Sequence, residues 1–571
     1  MSGQGVGQLL VYAFALIVLG YPLGLWMARV YTDGSLASRG AFSWLGWIER
    51  GFYRLVRTQR DREQDWKSYG VTVLVFTVLF WGLLYLIQRV QGHLFLNPDG
   101  LKGVPAHLSL NTAASFVTNT NWQFYGGEYT MSYLTQMAGL AVQNFVSAAV
   151  GMAVLAAVVR GIARRSAGTL GNFWVDLYRS LVYILLPLAI VVTVILQWQG
   201  VPQTLHGHAT AHTLQGVTQT IARGPVASQI AIKQLGTNGG GFYNSNSAVP
   251  FENPTGLSNF VEMLAILLIP AAQVFMFGRM VFSRRNAIAV FAAMFIVFAI
   301  GVGVNLPAEQ HGSQVLRNSG VNLTIGHGQS GGNMSDKEVR FGQAVTSNWT
   351  VATSDASNGS VNGGFDAQTA AGGAVPLVNL FLGEVIFGGV GSGLYGMFFY
   401  IVIAVFVAGL MVGRTPEWLG KKIEAREIKY AALGALFVPT MVLALAALSI
   451  VTKSGLASVY NSGVHGFTET LYAYDSQGNN NGSAFAGFGL TNFSAYFGAI
   501  AMLLGRFVPM FAALALGGAL AGKKIHPVSA GTFRTDGPTF VVLLIGVIAL
   551  TAGLMIFPAL TLGPIVEGLT H

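Results

Sequence analysis

The sequence contains no cysteine and very little charge. Without cysteine there are no disulfides, no thiolate metal sites and no thiol catalysis. Charged residues are 10% of the 571, against roughly 25% in soluble globular chains. Hydrophobic residues reach 52% and mean hydropathy is +0.54. That composition suits lipid, and it overrules the several soluble domains that length alone suggests. No basic run interleaves with aromatics and no nucleic-acid module is present. The formal charge of +9 therefore speaks of membrane topology. The opening MSGQGVGQLL lacks a basic n-region and no A-x-A site follows the apolar run. It reads as a retained span, not a signal peptide.

A spanning helix needs about 20 mostly apolar residues. Ten segments qualify, at 6–29, 70–91, 131–159, 173–197, 257–281, 286–305, 376–412, 430–452, 494–521 and 538–562. The seventh is too long for one straight helix. Gly388, Gly389, Gly391, Gly393 and Gly396 fall in its middle, so it is expected to be interrupted there. Cytoplasmic loops carry an excess of Lys and Arg. Residues 29–67 hold Arg29, Arg39, Arg50, Arg54, Arg57, Arg60, Arg62 and Lys67, and alternate later connections repeat the bias. That side holds 22 of the 32 basic residues. Both termini are then expected on the outer side.

The outward loops are long, and each carries a short apolar stretch running into a Gly- and Asn-rich tip. The stretches are AASFVTNTNWQ, ASQIAIKQLGTNGGGF, AVTSNWTVATSDASNGS and FTETLYAYDSQGNNNGSAF. Each is too short to span and long enough for a half-helix. Placed between spans 2–3, 4–5, 6–7 and 8–9, they give helix–half-helix–helix four times, with spans 1 and 10 as outliers. One such loop is an ordinary polar turn; four on one face form a pattern. Irregular backbone at membrane depth is tolerated where it lines a cavity or is buried in protein. Four extended segments meeting on one axis would present rings of backbone carbonyls, the means by which potassium is stripped of water. Glycine lets the backbone turn through dihedrals other residues resist. Potassium is the ion this arrangement suits.

Here the chain resembles the potassium-binding A subunit of the bacterial Kdp-type potassium-transporting ATPase. The likeness covers essentially the whole length and is carried by SFVTNTNWQ, GPVASQ, GTNGGGF, VPFENPTGLSNF, GEVIFGGVGSGLYG, GRTPEWLGKKI and NNNGSAFAG. The third tip departs from the family's small, often cysteine-containing stretch: it reads Ser354-Asp355-Ala356-Ser357-Asn358-Gly359. The resemblance implies an all-α polytopic fold of ten transmembrane helices, with four helix–pore loop–helix repeats around a central pore and one extra helix at each end. The expected segments are 1–69, repeats at 70–160, 161–282, 283–413 and 414–522, and 523–571. It implies a potassium filter built from Thr118, Asn119, Thr120, Asn121 and Gln123; Thr237, Asn238 and Gly239; Ser357, Asn358 and Gly359; and Asn480, Asn481 and Gly482. A gate and tunnel mouth would comprise Glu384, Gly388, Gly389, Gly391, Gly393 and Arg506. A fixed positive charge at Arg506 would repel a cation from the straight route inward, and Glu384 would offset that charge or draw the ion sideways.

The same resemblance implies a multi-pass protein of the bacterial inner membrane, working with a P-type ATPase subunit that hydrolyses ATP. A single-span accessory subunit, a small peptide subunit and membrane lipid complete the setting. Potassium is the transported ion, and neither an organic cofactor nor nucleic acid is expected. The rival within the fold is a self-sufficient channel or ion-coupled symporter. A membrane enzyme with an outer active site finds no nucleophile–base pair or ligand cluster in the sequence. Asp336-Lys337 continues with Glu338, so it is no phosphorylation motif. Gly517 to Lys524 lacks the Ser or Thr of a P-loop, and Gly391 to Gly396 follows no strand of a βαβ unit. His206, His208 and His212 read as a solvated loop.

Overall fold

The computed structural model describes residues 3–32, 46–326, 329–527 and 532–570. Among the described residues ten helices are long and apolar enough to cross a membrane: Val6–Thr32, Trp66–His93, Thr135–Ala163, Phe173–Trp198, Gly256–Met280, Arg284–Asn318, Ser392–Met411, Ala425–Val451, Asn492–Ala521 and Pro538–Thr570. They follow the ten expected segments in order. Arg39, one of the basic residues in the orientation count, lies outside the described residues.

Each of the four expected re-entrant loops holds a short helix: Ala106–Val117, Val226–Leu235, Gly342–Asp355 and Gly463–Gly478. Their lengths are half-spans at 1.5 Å per residue. Each bears few charges yet is almost wholly buried, because it is wrapped by the long helices of its own and the neighbouring unit. The third long helix is the central post. Its most apolar window is 83% buried, against 22% for the first and 28% for the tenth, which face outward. The long helices that follow the second and fourth half-helices begin alike. Thr255 and Thr491 each accept from the amide three residues on, and Ser258 and Ser494 bond back. That reciprocal cap satisfies two otherwise orphaned amide donors at each helix start.

The seventh span is broken, and the break begins and ends earlier than the sequence suggested. A short helix runs Ala370–Phe381, the chain then loops, and a long helix resumes at Ser392. Gly393 and Gly396 are therefore helical, against expectation. The break falls at 382–391, where Gly383, Glu384, Phe387, Gly388 and Gly391 take positive φ. Gly393 is small for packing: an added Cβ would lie 2.3 Å from the Gly388 Cα. Glycine density marked the region, and the close contact decided which glycines turn and which pack.

On the face assigned to the cytoplasm, Lys421 lies in the small hairpin Glu417–Trp418/Lys421–Lys422. Its ammonium donates to the carbonyls of Gly161 at 3.0 Å, Arg164 at 2.5 Å and Leu520 at 2.8 Å. These are end carbonyls of the third and ninth spans, so one cation closes two helix C-termini. On the opposite face a hairpin pairs Thr210 with Thr220 and carries His212.

Candidate functional site: four loops meeting beneath a vestibule

Each half-helix ends the same way. After Val117, Leu235, Asp355 and Gly478 comes one cap residue, and the residue after that is left-handed: Asn119 at φ 70, Thr237 at 48, Ser357 at 52 and Asn480 at 63. None of these is glycine, and such conformations persist only where surrounding structure over-determines them. In every unit a carbonyl two residues before the helix end accepts the amide of the next loop residue. The pairs are Thr120 N–H to Ser115 O at 2.9 Å, Asn238 to Lys233 at 2.8 Å, Asn358 to Thr353 at 3.0 Å and Asn481 to Ser476 at 2.8 Å. Four unrelated stretches of sequence thus make one backbone motif.

The four loops close into a ring. A Cβ added to Gly239 would stand 2.0 Å from the Gly359 nitrogen, and one on Gly359 would stand 2.6 Å from the Gly482 carbonyl carbon. One on Gly482 would stand 1.8 Å from the Thr120 oxygen, and one on Gly240 would stand 2.7 Å from the Asn121 amide nitrogen. Loop two thus meets three, three meets four, four meets one, and one meets two. Only glycine fits at these crossings. The equivalent position in loop one is Asn121, which reaches αL at φ 57 without being glycine.

Side chains knit the seams. Asn119 Nδ2 donates to the Thr237 carbonyl at 2.9 Å, while its Oδ1 accepts from Asn238 at 2.5 Å and Ser147 at 2.7 Å. Asn358 Nδ2 donates to Gln234 Oε1 at 3.2 Å, and Ser357 Oγ donates to the Asn480 carbonyl at 3.0 Å. Asn480 Nδ2 donates to Thr120 Oγ1 at 3.0 Å, and Thr118 and Thr120 share a hydroxyl–hydroxyl bond at 2.7 Å. Gln123 lies higher, clasping Gly241 through both its amide atoms at 3.0 and 3.1 Å. Every expected filter residue except Gln123 and Gly482 is buried.

Above the ring opens a vestibule of about 540 Å³ with Asn121, Gly359 and Gly482 among its lining residues. Below it lies the loop of the broken span. The Gly388 amide donates to the Asp355 carbonyl at 2.9 Å and the Val390 amide to Thr237 Oγ1 at 2.9 Å. Glu384 Oε1 accepts from Asn481 Nδ2 at 2.6 Å. Arg506, 4% exposed, borders a cavity of about 60 Å³ that also touches Asn479, Asn480 and Gly383. Glu384 bonds the fourth loop and forms no ion pair with Arg506 among the described residues. Gly389 and Gly391 sit in this loop, and Gly393 sits in the helix after it.

Some positions that shape the ring are not apparent from the sequence. Ser115, Thr353 and Ser476 hold the loop carbonyls of Trp122 at 3.0 Å, Ser360 at 2.8 Å and Ser483 at 2.6 Å. A hydroxyl two residues before three of the four helix ends was the available signal, visible only once the four tips are set in register. His206, His208 and His212 do not converge on a metal site. His208 Nε2 lies 3.5 Å from Asp99. His465 has carboxylates on both ring nitrogens, Asp366 and Glu567, each at 2.9 Å. That is an imidazolium clasp, with no free nitrogen for a metal.

Four half-helices converging on a ring of turned backbone, under a vestibule and above a broken span, define a membrane cation transporter of the four-repeat class. The potassium transporter TrkH from Vibrio parahaemolyticus shares the fold, with TM-score 0.51 and 14% identity, over 87% of this chain and 96% of that one. A family model for KdpA, the potassium-transporting ATPase A subunit, matches residues 10–569, and the chain belongs to that family. Relatives named potassium-transporting ATPase potassium-binding subunit include one from Sorangium cellulosum, 54% identical over 100% of this chain and 99% of its own length. Another, from Methylobacterium nodulans, is 53% identical over 100% and 98%.

Proposed function

We propose that the ring selects potassium from the outer side and that the broken seventh span turns the ion sideways, toward an ATP-hydrolysing partner. The observation that carries this is the fourfold αL turn at Asn119, Thr237, Ser357 and Asn480. Alternating left- and right-handed residues bring successive peptide planes to the same side, so carbonyls can line a common axis and replace a hydration shell. Family membership supports potassium as the ion. Glu384 bonds the fourth loop and Arg506 borders the small cavity beside it, so two ionisable side chains lie near the lower end of the ring. Intramembrane charges of this kind mark ion pathways. The orientation with both termini outside rests on the basic residues of the alternate loops. ATP hydrolysis on a P-type partner, a single-span accessory subunit, a small peptide subunit and a bacterial inner-membrane setting come with the family reading. So does the absence of an organic cofactor.

The test is ATPase activity of the assembled complex as a function of potassium and rubidium. Activity that saturates with potassium and is much weaker with rubidium supports the reading. Activity indifferent to both ions, or potassium flux by this chain alone at the same rate as the complex, would favour a self-sufficient channel or symporter.

A further inference from the structure

Three of the four loops are held by a hydroxyl, and the second is not. Where Ser115, Thr353 and Ser476 stand in the other units, the second half-helix carries Lys233, fully buried. Its ammonium lies 2.6 Å from Glu252 Oε2 and 2.6 Å from Asn246 Oδ1. The ion pair is buried on both sides, and Glu252 Oε1 accepts the Tyr243 amide at 2.9 Å. Asn246 in turn donates Nδ2 to the carbonyl of Gly239 at 2.6 Å. A chain of three groups thus runs from a buried cation to a carbonyl of the ring.

The consequence is an asymmetry at the outer level. Asn121, Gly359 and Gly482 occupy the position equivalent to Gly239, and all three line the vestibule. Gly239 does not, and Asn246 lines that quadrant in its place. The Asn246 amide oxygen is fully used, since Oδ1 also accepts the Ser247 amide at 2.9 Å. It therefore offers an approaching ion no free oxygen. A cation bonded to the amide oxygen polarises the amide, which strengthens the bond its nitrogen donates. A buried Lys–Glu pair is a poor device for stability, because its desolvation cost offsets its attraction. Its best-supported use is to fix one arrangement.

Resting on the filter reading above, we infer that Lys233 is a positioning residue for ion selection. Through Asn246 it withdraws the Gly239 carbonyl, so the outermost ion position is built from three backbone carbonyls rather than four. Three ligands leave one face of the ion hydrated, so it is captured with part of its shell and passed inward.

The experiment measures potassium-dependent ATPase activity of the assembled complex, with rubidium as competitor, in five variants. Lys233→Met/Glu252→Gln removes both charges together at similar volume, and Asn246→Ala cuts the relay with a small truncation that keeps the buried pair. Both should raise the KM for potassium about tenfold and narrow the discrimination against rubidium, with kcat at saturating potassium within about twofold of the parent. Lys233→Arg, which can still donate to Asn246 and Glu252, should recover most of the affinity. Lys233→Ser restores the hydroxyl of the other three units without the relay and should not. If the double variant fails to assemble, Asn246→Ala carries the test. Assembled variants with parental KM and parental rubidium discrimination would overturn the inference. Gly239→Ala serves as the reference: if it also leaves selectivity intact, the filter reading itself fails, whereas a selectivity loss confined to Gly239→Ala refutes the Lys233 role alone.

Discussion

The amide of Gly388 donates to the carbonyl oxygen of Asp355 at 2.9 Å. One residue belongs to the break in the seventh span and the other ends the third half-helix, so the floor beneath the ring is tied to the ring itself. A Cβ on Gly388 would lie 2.1 Å from the Gly393 Cα and 2.2 Å from the Glu384 oxygen, at φ 69. The bond joins the loop to the end of the third half-helix, below the crossings where the four loops meet.

Gly388→Ala should consequently disturb the floor more than a surface substitution could. A left-handed φ and a backbone clash together cost on the order of 1–3 kcal/mol. The expected outcome is raised passive potassium flux without ATP, with rubidium discrimination retained, measured in proteoliposomes of the assembled complex. A variant as tight as the parent would count against a gating role for the loop.

Gly482→Ala should act on selection rather than on leak. The added methyl would stand 1.8 Å from the Thr120 carbonyl oxygen, so that oxygen or its neighbour must move. Potassium affinity should fall by about tenfold or more, equivalent to ~1.4 kcal/mol. Ion-competition assays of the ATPase would register it, and unchanged affinity would remove this crossing from the filter.

Arg506→Gln removes the buried positive charge from the cavity under the fourth loop. A charge at mid-membrane costs at least about 2.5 kcal/mol to insert, so its retention argues for use. The variant should leak potassium without ATP while keeping filter selectivity. Arg506→Lys, which keeps the charge, should stay tight. If both variants are tight and both merely lose yield, Arg506 is a packing residue.

His465 gives the chain a pH-dependent clasp. The carboxylates of Asp366 and Glu567 hold the imidazole protonated and push its pKa up to about 10, well above the ordinary 6.5. Because the folded value is raised, the stabilisation is fully present below pH 6.5, declines between 6.5 and about 10, and is gone above that. Glu567 sits in the last helical turn of the chain, Val566–Thr570, so the turn should loosen at high pH. Thermal stability of the parent should drop between pH 6 and pH 10 more than that of His465→Gln, by roughly 1 kcal/mol for partly exposed charge-assisted bonds. Parallel pH profiles for the two proteins would dismiss the clasp.

Sequence by itself determined the membrane layout and the four tips. Spans announce themselves because lipid demands about 20 apolar residues in a row, and half-helices because they are apolar and too short. The tips were legible because Gly and Asn are the residues that tolerate the left-handed turns a ring requires. Tertiary structure decided everything that depends on register between units far apart in the chain. It moved the break from Gly388–Gly396 to 382–391, since Gly393 packs against Gly388 instead of unwinding. It gave Glu384 to Asn481, 97 residues away, rather than to Arg506. It placed Lys233 where the other units keep a hydroxyl, and ran its hydrogen bonds through Asn246 to Gly239. A linear pattern reports what each segment can bury; which carbonyl a buried cation withdraws is fixed only when four segments share one axis.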